Sequence, residues 1–351
     1  METAPSRPLV DSDSLHSYLK QYFGEDRELR VERIISGKSN ETFLLDWGED
    51  HWVLRRPPAG PLPPSAHDVL REYRVLTGLH GRGVRAPRTI LSCDDESVIG
   101  APFYVMECVP GDSLLNPPPP DFLEDPEEKR RVGEQMVEVL AEVHAVDWRA
   151  AGLEGFGKPA GFVRRQVERR MQQLESIMVR CRHLPEMVEV NEWLAANLPP
   201  ETDEPTIVHG DYGLHNVFFA GQAPATATAI LDWELSTIGD PLTDVGWLTA
   251  MWQEPGDETE PGDQGFGLTS RPGYHTRDEL VALYEERTGR RADNINFYRI
   301  LSIWRLAIAL EGTYARYKLG VTDNPYFATL EDRIPAMARR CLRIARGELA
   351  A

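Results

Sequence analysis

The sequence predicts an α+β protein with two lobes, a small antiparallel β lobe and a larger, mainly helical lobe. Between residues 29 and 55, three runs rich in β-branched, Leu and aromatic residues follow one another, as in a β meander. Beyond residue 120, apolar residues recur at helical spacing instead. We therefore place the boundary after Val109, with an N-terminal lobe over 1–109 and a C-terminal lobe over 110–351.

The composition is that of a globular chain with a strongly acidic balance. Its 351 residues are 41% hydrophobic and 27% charged, which allows two lobes. The formal net charge of −18 argues against a general affinity for nucleic acid or an anionic membrane, since both attract cationic surfaces. A cationic ligand would fit this charge, although a solvated acidic surface is the commoner reason for it.

The sequence shows no sign of export or of a membrane span. Residues 1–14 carry Pro, Ser and Asp rather than the apolar core of a signal peptide. The most apolar later run, 300–310, is interrupted by Arg305 and is too short to cross a bilayer. Four cysteines lie without metal-ligand spacing, as expected of reduced residues: Cys93, Cys108, Cys181 and Cys341. We expect a cytoplasmic protein.

The N-terminal lobe is predicted to alternate helices with β structure. A short helix over 14–23 precedes the strands, and a second helix covers about 65–80 after a Pro-rich link. The predicted strands are 29–35, 42–47, 52–55, 88–92 and an apolar run that begins at Phe103 and ends in a turn at Gly111. The first three strands form an antiparallel meander.

The C-terminal lobe is predicted to consist mainly of helices. Asp125 is a suitable N-cap and Pro126 a suitable first residue for the first of them. The later helices are predicted over 162–182, 185–198, 241–252, 277–288, 294–319 and 325–346. The segment 254–274 is rich in Gly, Pro and acidic residues, and we interpret it as a mobile rim of a ligand pocket.

Two short polar motifs at strand ends carry the predicted chemistry. The run Val208-His209-Gly210-Asp211 is followed by Asn216, and the apolar run 228–231 ends at Asp232. This H-x-D-x-x-x-x-N spacing reproduces the Asp-to-Asn interval of a kinase catalytic loop. Asp211 would orient an acceptor hydroxyl, while Asn216 and Asp232 would hold Mg²⁺. Alternatively, Asp211 caps a turn and Asp232 ends a strand, both in water.

At these motifs the sequence resembles the aminoglycoside phosphotransferase and choline kinase-like family, small-molecule kinases with the protein-kinase fold. Residues 232–244, Asp-Trp-Glu-Leu-Ser-Thr-Ile-Gly-Asp-Pro-Leu-Thr-Asp, resemble the branch found ahead of acyl-CoA dehydrogenases in some proteins. The resemblance covers about 35–317. It implies a two-lobed protein-kinase-like fold, ATP and Mg²⁺ as cofactors, and phosphoryl transfer as the reaction.

The resemblance also assigns candidate nucleotide contacts in the N-terminal lobe. The turn between the first two strands would cover the phosphates, with Ser36, Ser39 and Asn40 as candidates, although an ordinary hairpin turn has the same composition. Arg55 stands where the family usually has a lysine, and Arg56 is the alternative. Strand alternation favours Arg55.

Glu72 and the interlobe segment complete the candidate nucleotide site. Glu72 lies on the helix after the cationic strand and would pair with Arg55, unless it is simply solvated. The backbone groups of Glu107 and Val109 would bind the adenine edge. Farther along the chain, His209 is expected to be structural, and Asp244 is expected to brace the catalytic loop.

The expected function is a small-molecule kinase that transfers the γ-phosphoryl group of MgATP to an alcohol. Gly210 replaces the arginine of protein kinases, Asp-Trp-Glu replaces D-F-G, and an A-P-E segment is missing, so a regulated protein kinase is disfavoured. A hydroxyacyl-CoA or hydroxy acid, linked to acyl-CoA metabolism, is one predicted acceptor. An aminoglycoside-type cationic alcohol is another, and a nucleotide-binding pseudokinase is a third hypothesis.

Overall fold

The N-terminal part of the chain folds as an antiparallel β-sheet with a helix on each face. The structure is a computed structural model that describes residues 9–34, 40–60, 68–116, 119–257 and 267–349. The sheet has the strand order β1-β2-β3-β5-β4. Its strands are β1 (Leu29–Ile34), β2 (Glu41–Trp47), β3 (Asp50–Arg56), β4 (Thr89–Cys93) and β5 (Phe103–Glu107). The helices are α1 (Ser12–Phe23) and α2 (Val69–Leu79).

Alternation along β5 explains how the sheet buries both faces. Phe103 and Val105 pack in one apolar cluster with Leu15 of α1, whereas Tyr104 and Met106 pack in another with residues of α2. Both helices have a side-chain N-cap, from Asp11 and Asp68, which satisfies backbone N–H groups in the first turn. The sheet is thereby fixed between two layers.

The C-terminal part is mainly helical and is built around a long central helix. Its helices are α3 (Pro126–His144), α4 (Phe162–Met178), α5 (Pro185–Ala196), α6 (Leu242–Met251), α7 (Arg277–Thr288), α8 (Ile295–Lys318) and α9 (Leu330–Ala345). The central helix, α8, packs against α4, α6 and α9, and its Trp304 is fully buried. As the sequence predicts, the Asp125 side chain accepts an N-terminal N–H of α3. Among the described helices, none is long and apolar enough to span a membrane.

Two small sheets place the polar motifs side by side. The strands are β6 (Asp112–Ser113), β7 (Thr206–Val208), β8 (Val217–Phe219), β9 (Ala227–Ile230) and β10 (Thr237–Gly239). They pair as β6-β8-β9 and as β7-β10. Residues 209–216 therefore connect β7 to β8, while residues 231–236 connect β9 back to β10, the partner of β7. Because β7 pairs with β10 and β8 pairs with β9, residues 209–216 and residues 231–236 lie next to each other.

Among the predicted C-terminal helices, 162–182 and 325–346 differ most from the structure. Helix α4 ends at Met178 rather than at residue 182, and Arg182 instead donates from Nη2 to Glu311 of α8 at 2.8 Å. The predicted helix over 325–346 is divided into a 3-10 turn, Pro325–Thr329, and α9. The side chain of Asn324 accepts the N–H of Tyr326 at 3.0 Å and starts this separate turn.

Candidate active site

The turn after β7 carries Asp211 and requires glycine at position 210. Gly210 has a φ of +89°, in the left-handed region that side chains avoid. A Cβ atom at this position would lie 2.7 Å from the carbonyl oxygen of Leu235. A side chain at position 210 would therefore be strained, which explains why this chain has glycine where protein kinases have arginine.

The side chain of Asp244 braces this turn from α6. Its Oδ2 accepts the backbone N–H of His209 at 2.7 Å, and its Oδ1 accepts that of Gly210 at 2.8 Å. Asp244 is fully buried, and its Oδ2 also lies 3.3 Å from Nε2 of His144. Hydrogen bonds to a carboxylate are stronger than neutral ones, so these contacts fit the bracing role predicted for Asp244.

Two residues of the same loop hold the Asp211 carboxylate. Its Oδ1 lies 3.2 Å from Nε2 of His215, and Nδ2 of Asn216 donates to its Oδ2 at 3.2 Å. Burial acts to raise the pKa of Asp211, but His215, His209 and Asn216 together lower this pKa below its usual value. Asp211 is therefore ionised at neutral pH and can accept a hydrogen bond from a hydroxyl group.

His209 connects the turn after β7 (residues 209–211, the proposed catalytic turn) to the loop after β9. Its Nε2 lies 2.9 Å from the carbonyl oxygen of Leu231, and its Nδ1 accepts the N–H of Asp211 at 3.3 Å. The neutral tautomer with the proton on Nε2 satisfies both contacts. The buried ring also packs edge-to-face on Trp233, with 4.8 Å between centroids. These contacts fit the structural role that the sequence predicts for His209.

Asn216 and Asp232 are brought together by the pairing of β8 with β9. The backbone N–H of Leu231 donates to the carbonyl of Asn216 at 2.8 Å, so Asp232 follows directly after that contact. Asp232 has a φ of +62°, a backbone conformation that costs free energy in a residue other than glycine. Strain of this kind is concentrated at functional sites, and both side chains line the same cleft.

The oxygen atoms of these two residues suit a magnesium ion bound with a nucleotide. The amide nitrogen of Asn216 donates to the backbone and side chain of Asp211, which leaves its Oδ1 as an acceptor. Asp232 accepts from Arg55 through Oδ1. Mg²⁺ takes one or two such ligands and completes its coordination with water and phosphate. In the described ranges, no group of three His, Cys, Asp or Glu residues could hold a metal.

Arg55 lies between two carboxylates at the back of the cleft. Its Nη1 donates to Oε1 of Glu72 at 2.5 Å, and its Nη2 lies 3.3 Å from Oδ1 of Asp232. Glu72 is 1% exposed, and its Oε1 also accepts the N–H of Trp233 at 3.2 Å. Burial raises the pKa of Glu72 to about 7, against the effect of Arg55, and the charge of Asp232 adds to the rise. The predicted pair is thus present and links three elements.

Arg56 points away from this site. Its Nη1 donates to the backbone carbonyl of Ile99 at 3.1 Å and also to that of Leu9, behind the sheet. Successive residues of a strand face opposite sides, which separates Arg56 from Arg55. Of the two arginines, the structure places Arg55 in the cleft.

The cleft is a cavity of about 620 Å³ between the sheet and the C-terminal elements. Glu107 and Val109 both line it, and within the described chain the backbone N–H of Val109 makes no hydrogen bond. Asn40 lies at its edge and donates from Nδ2 to Glu234 at 3.3 Å, which connects the first turn to the loop after β9. This volume is in the usual range of a ligand pocket.

Some sequence predictions fall outside the residues that the structure describes. These are Ser36 and Ser39 of the first turn, together with residues 258–266 of the segment interpreted as a mobile rim. The predicted boundary after Val109 lies between β5 and β6, and the division into two lobes at that residue stays a prediction.

A model of the phosphotransferase enzyme family matches residues 30–280. The chain belongs to this family. Human acyl-CoA dehydrogenase family member 11 is 37% identical to this phosphotransferase over 317 residues, which are 88% of this chain and 40% of the relative. Mouse acyl-CoA dehydrogenase family member 10 is 34% identical over 320 residues, or 90% of this chain and 29% of that protein. The chain thus spans less than half of these curated relatives.

Solved structures confirm the predicted fold class. A Ralstonia eutropha protein described as an aminoglycoside phosphotransferase is 32% identical to this phosphotransferase, with a TM-score of 0.79. The match covers 96% of this chain and 98% of that one. An aminoglycoside phosphotransferase solved with ADP and hygromycin B is 15% identical and has a TM-score of 0.58, with 96% and 100% coverage. The second likeness concerns the two-lobed, kinase-like fold alone.

His215 is a candidate site residue that the sequence interpretation missed. It lies four positions after Asp211 in the catalytic loop, lines the cleft and contacts the Asp211 carboxylate. The signal was present, because a polar ionisable side chain stands inside the motif. The spacing of the motif specifies Asp211 and Asn216, however, and says nothing about which intervening side chain turns back toward the carboxylate.

Proposed function

We propose that this phosphotransferase is a small-molecule kinase that transfers the γ-phosphoryl group of MgATP to an alcohol. The observation that carries the proposal is the arrangement of Asp211 and Asn216. One amide group supports the Asp211 carboxylate through its nitrogen and leaves its oxygen as an acceptor, and both Asn216 and Asp232 line the cleft. Acceptor orientation and phosphate neutralisation are thereby coupled within one loop, as phosphoryl transfer requires.

In the proposed reaction, the chain supplies position and charge rather than a covalent intermediate. The Asp211 carboxylate accepts a hydrogen bond from the acceptor hydroxyl and receives its proton as the hydroxyl oxygen bonds to the γ-phosphorus and the bond from that phosphorus to ADP breaks. Asn216 and Asp232 would hold Mg²⁺, which would supply positive charge at the phosphates. Arg55 lies beside Asp232 and reaches the phosphates from the strand side, while Glu72 fixes its orientation.

The proposed nucleotide site lies between the strands and the segment after β5. Within the described residues the N–H of Val109 has no hydrogen-bond partner, and it would recognise the adenine edge together with the backbone of Glu107. Asn40 would lie at the phosphate end of the same cleft. Neighbouring structures that carry ADP or GDP support a nucleotide as the phosphoryl donor. ATP is the donor that we propose.

For the acceptor, we propose a hydroxy acid or a hydroxyacyl-CoA. The support is that the curated relatives are named as acyl-CoA dehydrogenase family members, which suggests a setting in acyl-CoA metabolism. We place this activity in the cytoplasm. An aminoglycoside is the second candidate, because a structural neighbour was solved with hygromycin B and the chain has a net charge of −18.

The test is to measure MgATP-dependent transfer to a panel of hydroxy acids, hydroxyacyl-CoAs and aminoglycosides, with wild-type protein and Asp211→Asn. Loss of the general base should slow transfer by roughly 10²–10⁴-fold. Nucleotide affinity should remain at the wild-type level, because Asp211 faces the acceptor. Asp203→Asn, which changes an exposed carboxylate in the same lobe, is the matched control.

Two outcomes would contradict the proposal. Transfer by Asp211→Asn at the wild-type rate would remove Asp211 from the reaction. Tight binding of ATP by the wild-type protein without transfer to any acceptor would favour a nucleotide-binding regulator. Transfer to aminoglycosides alone would support the kinase activity but contradict a hydroxy acid or hydroxyacyl-CoA as the acceptor.

A further inference from the structure

Two arginines of the C-terminal lobe lie near the catalytic turn without a carboxylate partner. Arg305 of α8 donates from Nη2 to the carbonyl of Gly210 at 3.3 Å, one residue before Asp211. Arg170 of α4 donates from Nη1 to Gln173 at 2.7 Å. Across the ranges that the structure describes, neither arginine forms an ion pair with Asp or Glu. Positive charge thus lies near the catalytic turn without a direct ion-pair partner in these ranges.

Both arginines are partly buried, and Nε of Arg305 is fully buried. Burial lowers the pKa of Arg305 to about 10, and the charge of Arg170 lowers it further, against the opposing effects of Asp244 and Asp211. Burial also lowers the pKa of Arg170. Partly buried cations that repel one another favour a nearby anion. The carboxylates of Asp244 and Asp211 act on Arg305, but neither forms an ion pair with it within the described residues.

The same place contains buried donors without acceptors. The guanidinium carbon of Arg305 lies 5.4 Å from the centroid of the Trp247 ring. Within the described chain, Nε of Arg305 and Nε1 of Trp247 are both buried and have no hydrogen-bond partner. Trp247 is 8% exposed. Two neighbouring buried N–H groups without acceptors, one of them on a guanidinium group, indicate a ligand with acceptor oxygens.

The nearby carboxylates are occupied by other contacts. Asp244 accepts the two backbone N–H groups of the catalytic turn, and Asp211 is held by His215 and Asn216. Neither carboxylate can turn toward Arg305 without giving up these hydrogen bonds. Within the described chain these carboxylates therefore accept no N–H of Arg305 or Trp247, which leaves those groups for a ligand.

Resting on the proposed function, we infer that Arg305 and Arg170 bind an anionic group of the acceptor, a carboxylate or a phosphate, while its hydroxyl lies at Asp211. Trp247 supplies a further N–H donor to the same group. Guanidinium groups suit both kinds of anion, because their planar fork matches two oxygens. The acceptor is thus an anionic alcohol, and a cationic acceptor such as an aminoglycoside is disfavoured by repulsion.

The test compares probes that share a hydroxyl group and differ in charge. Binding is measured by calorimetry and by the shift in melting temperature, with and without a magnesium complex of a non-hydrolysable ATP analogue. The anionic probes are 3-hydroxybutyrate, 3-hydroxybutyryl-CoA and glycerol 3-phosphate, which separate a carboxylate from a phosphate source. Butane-1,3-diol is the neutral probe and choline the cationic probe.

We expect at least one anionic probe to bind wild-type protein about tenfold or more tightly than the diol. Arg305→Gln and Arg170→Gln should each remove most of this advantage. Arg169→Gln is the matched control, because Arg169 is the exposed neighbour of Arg170 on the same helix and should have no effect. Unchanged affinity for the ATP analogue shows that each variant remains folded.

Anionic probes that bind no more tightly than the diol or choline would overturn the inference, and this comparison requires no variant. Equal losses in Arg169→Gln and Arg170→Gln would also overturn it. Because binding is measured without transfer, the two proposals fail separately. Anion binding at these arginines without phosphoryl transfer would contradict the proposed kinase activity and support the anion site. Transfer to choline or an aminoglycoside without anion binding would support the kinase activity and contradict the anion site.

Discussion

Arg55, which is buried, and Arg305, which is half-buried, both lie beside the proposed catalytic residues, but their surroundings are opposite. Arg55 of β3 donates to Glu72 at 2.5 Å and lies 3.3 Å from Asp232. Burial opposes its charge, yet Glu72 and the other acidic neighbours hold the pKa of Arg55 above its usual value. Arg305 of α8 has a backbone carbonyl as its partner, and the pKa of its guanidinium is lowered.

The difference separates an arginine whose charge is paired within the folded chain from one whose charge is not. Arg55 completes an ion pair that links β3, α2 and the loop after β9, although its buried Nε has no hydrogen-bond partner within the described residues. Arg305 places a positive charge near Asp211 that forms no ion pair within those residues. The same residue type can therefore stabilise the fold in one lobe and reduce its stability in the other.

Arg55→Met should have the largest effect on stability, because it leaves the carboxylate of Glu72 buried without its partner. We expect the free energy of unfolding to fall by about 3–5 kcal/mol, as for other broken buried ion pairs. Urea denaturation at pH 8, where Glu72 of the wild-type protein is ionised, measures this loss in the free energy of unfolding. The double variant Arg55→Met/Glu72→Leu should recover most of the loss. A single variant as stable as wild type would show that Arg55 is not part of the architecture.

The pH dependence of stability gives a second test of the paired arginine. The pKa of Glu72 is raised from 4.5 to about 7 in the folded chain, so the folded state binds this proton more tightly than the unfolded state. The corresponding stability is fully present below pH 4.5 and is lost as the pH rises through 7. We expect a loss of about 2–3 kcal/mol between pH 5 and pH 8 in nucleotide-free protein.

Glu72→Gln is the control for this titration, since it cannot ionise. Denaturation curves collected across the same pH range should show a shallower decline for Glu72→Gln than for wild type. Parallel curves for the two proteins would mean that another group titrates and that Glu72 is ionised throughout.

His215→Gln tests how strongly the catalytic carboxylate depends on its neighbour. Loss of the contact to Asp211 should reduce kcat about fivefold, which corresponds to roughly 1 kcal/mol for one hydrogen bond. Because His215 lowers the pKa of Asp211, its removal raises that pKa and moves the acid limb of the rate profile to higher pH. An unchanged acid limb in kcat/KM would remove His215 from the site.

Arg305→Met should have the smallest effect on stability and completes the comparison. Without ligand, replacing an unneutralised buried cation by an apolar side chain should leave the free energy of unfolding within about 1 kcal/mol of wild type, or increase it. Chemical denaturation of both proteins measures the change. A loss as large as that of Arg55→Met would show that Arg305 stabilises the fold and would remove the contrast between the two residues.

Local sequence signals predicted the elements that are fixed by neighbouring residues. Asp125 and Pro126 identified the start of α3, because capping depends on atoms within one turn. Strand alternation favoured Arg55 over Arg56, and the structure places Arg55 in the cleft. The Asp211 to Asn216 interval also indicated two residues that the structure brings into contact, since both lie in one short loop.

Features that depend on distant contacts were not predicted. The sequence interpretation treated Arg305 as an interruption in an apolar run, and its position near Gly210 follows from the packing of α8 against α6. The end of α4 was placed at 182, whereas Arg182 leaves the helix to pair with Glu311, 129 residues later. No spacing rule reports such contacts, because they arise when separate elements dock.

The crystal structure with Mn²⁺ and a non-hydrolysable ATP analogue is the most direct test of the proposed site. The anomalous signal of the metal should lie within coordination distance of Oδ1 of Asn216 and of a carboxylate oxygen of Asp232. The γ-phosphoryl group should face Asp211, with Arg55 on the strand side. A metal bound away from Asn216 and Asp232, or a nucleotide outside the 620 Å³ cleft, would contradict the account.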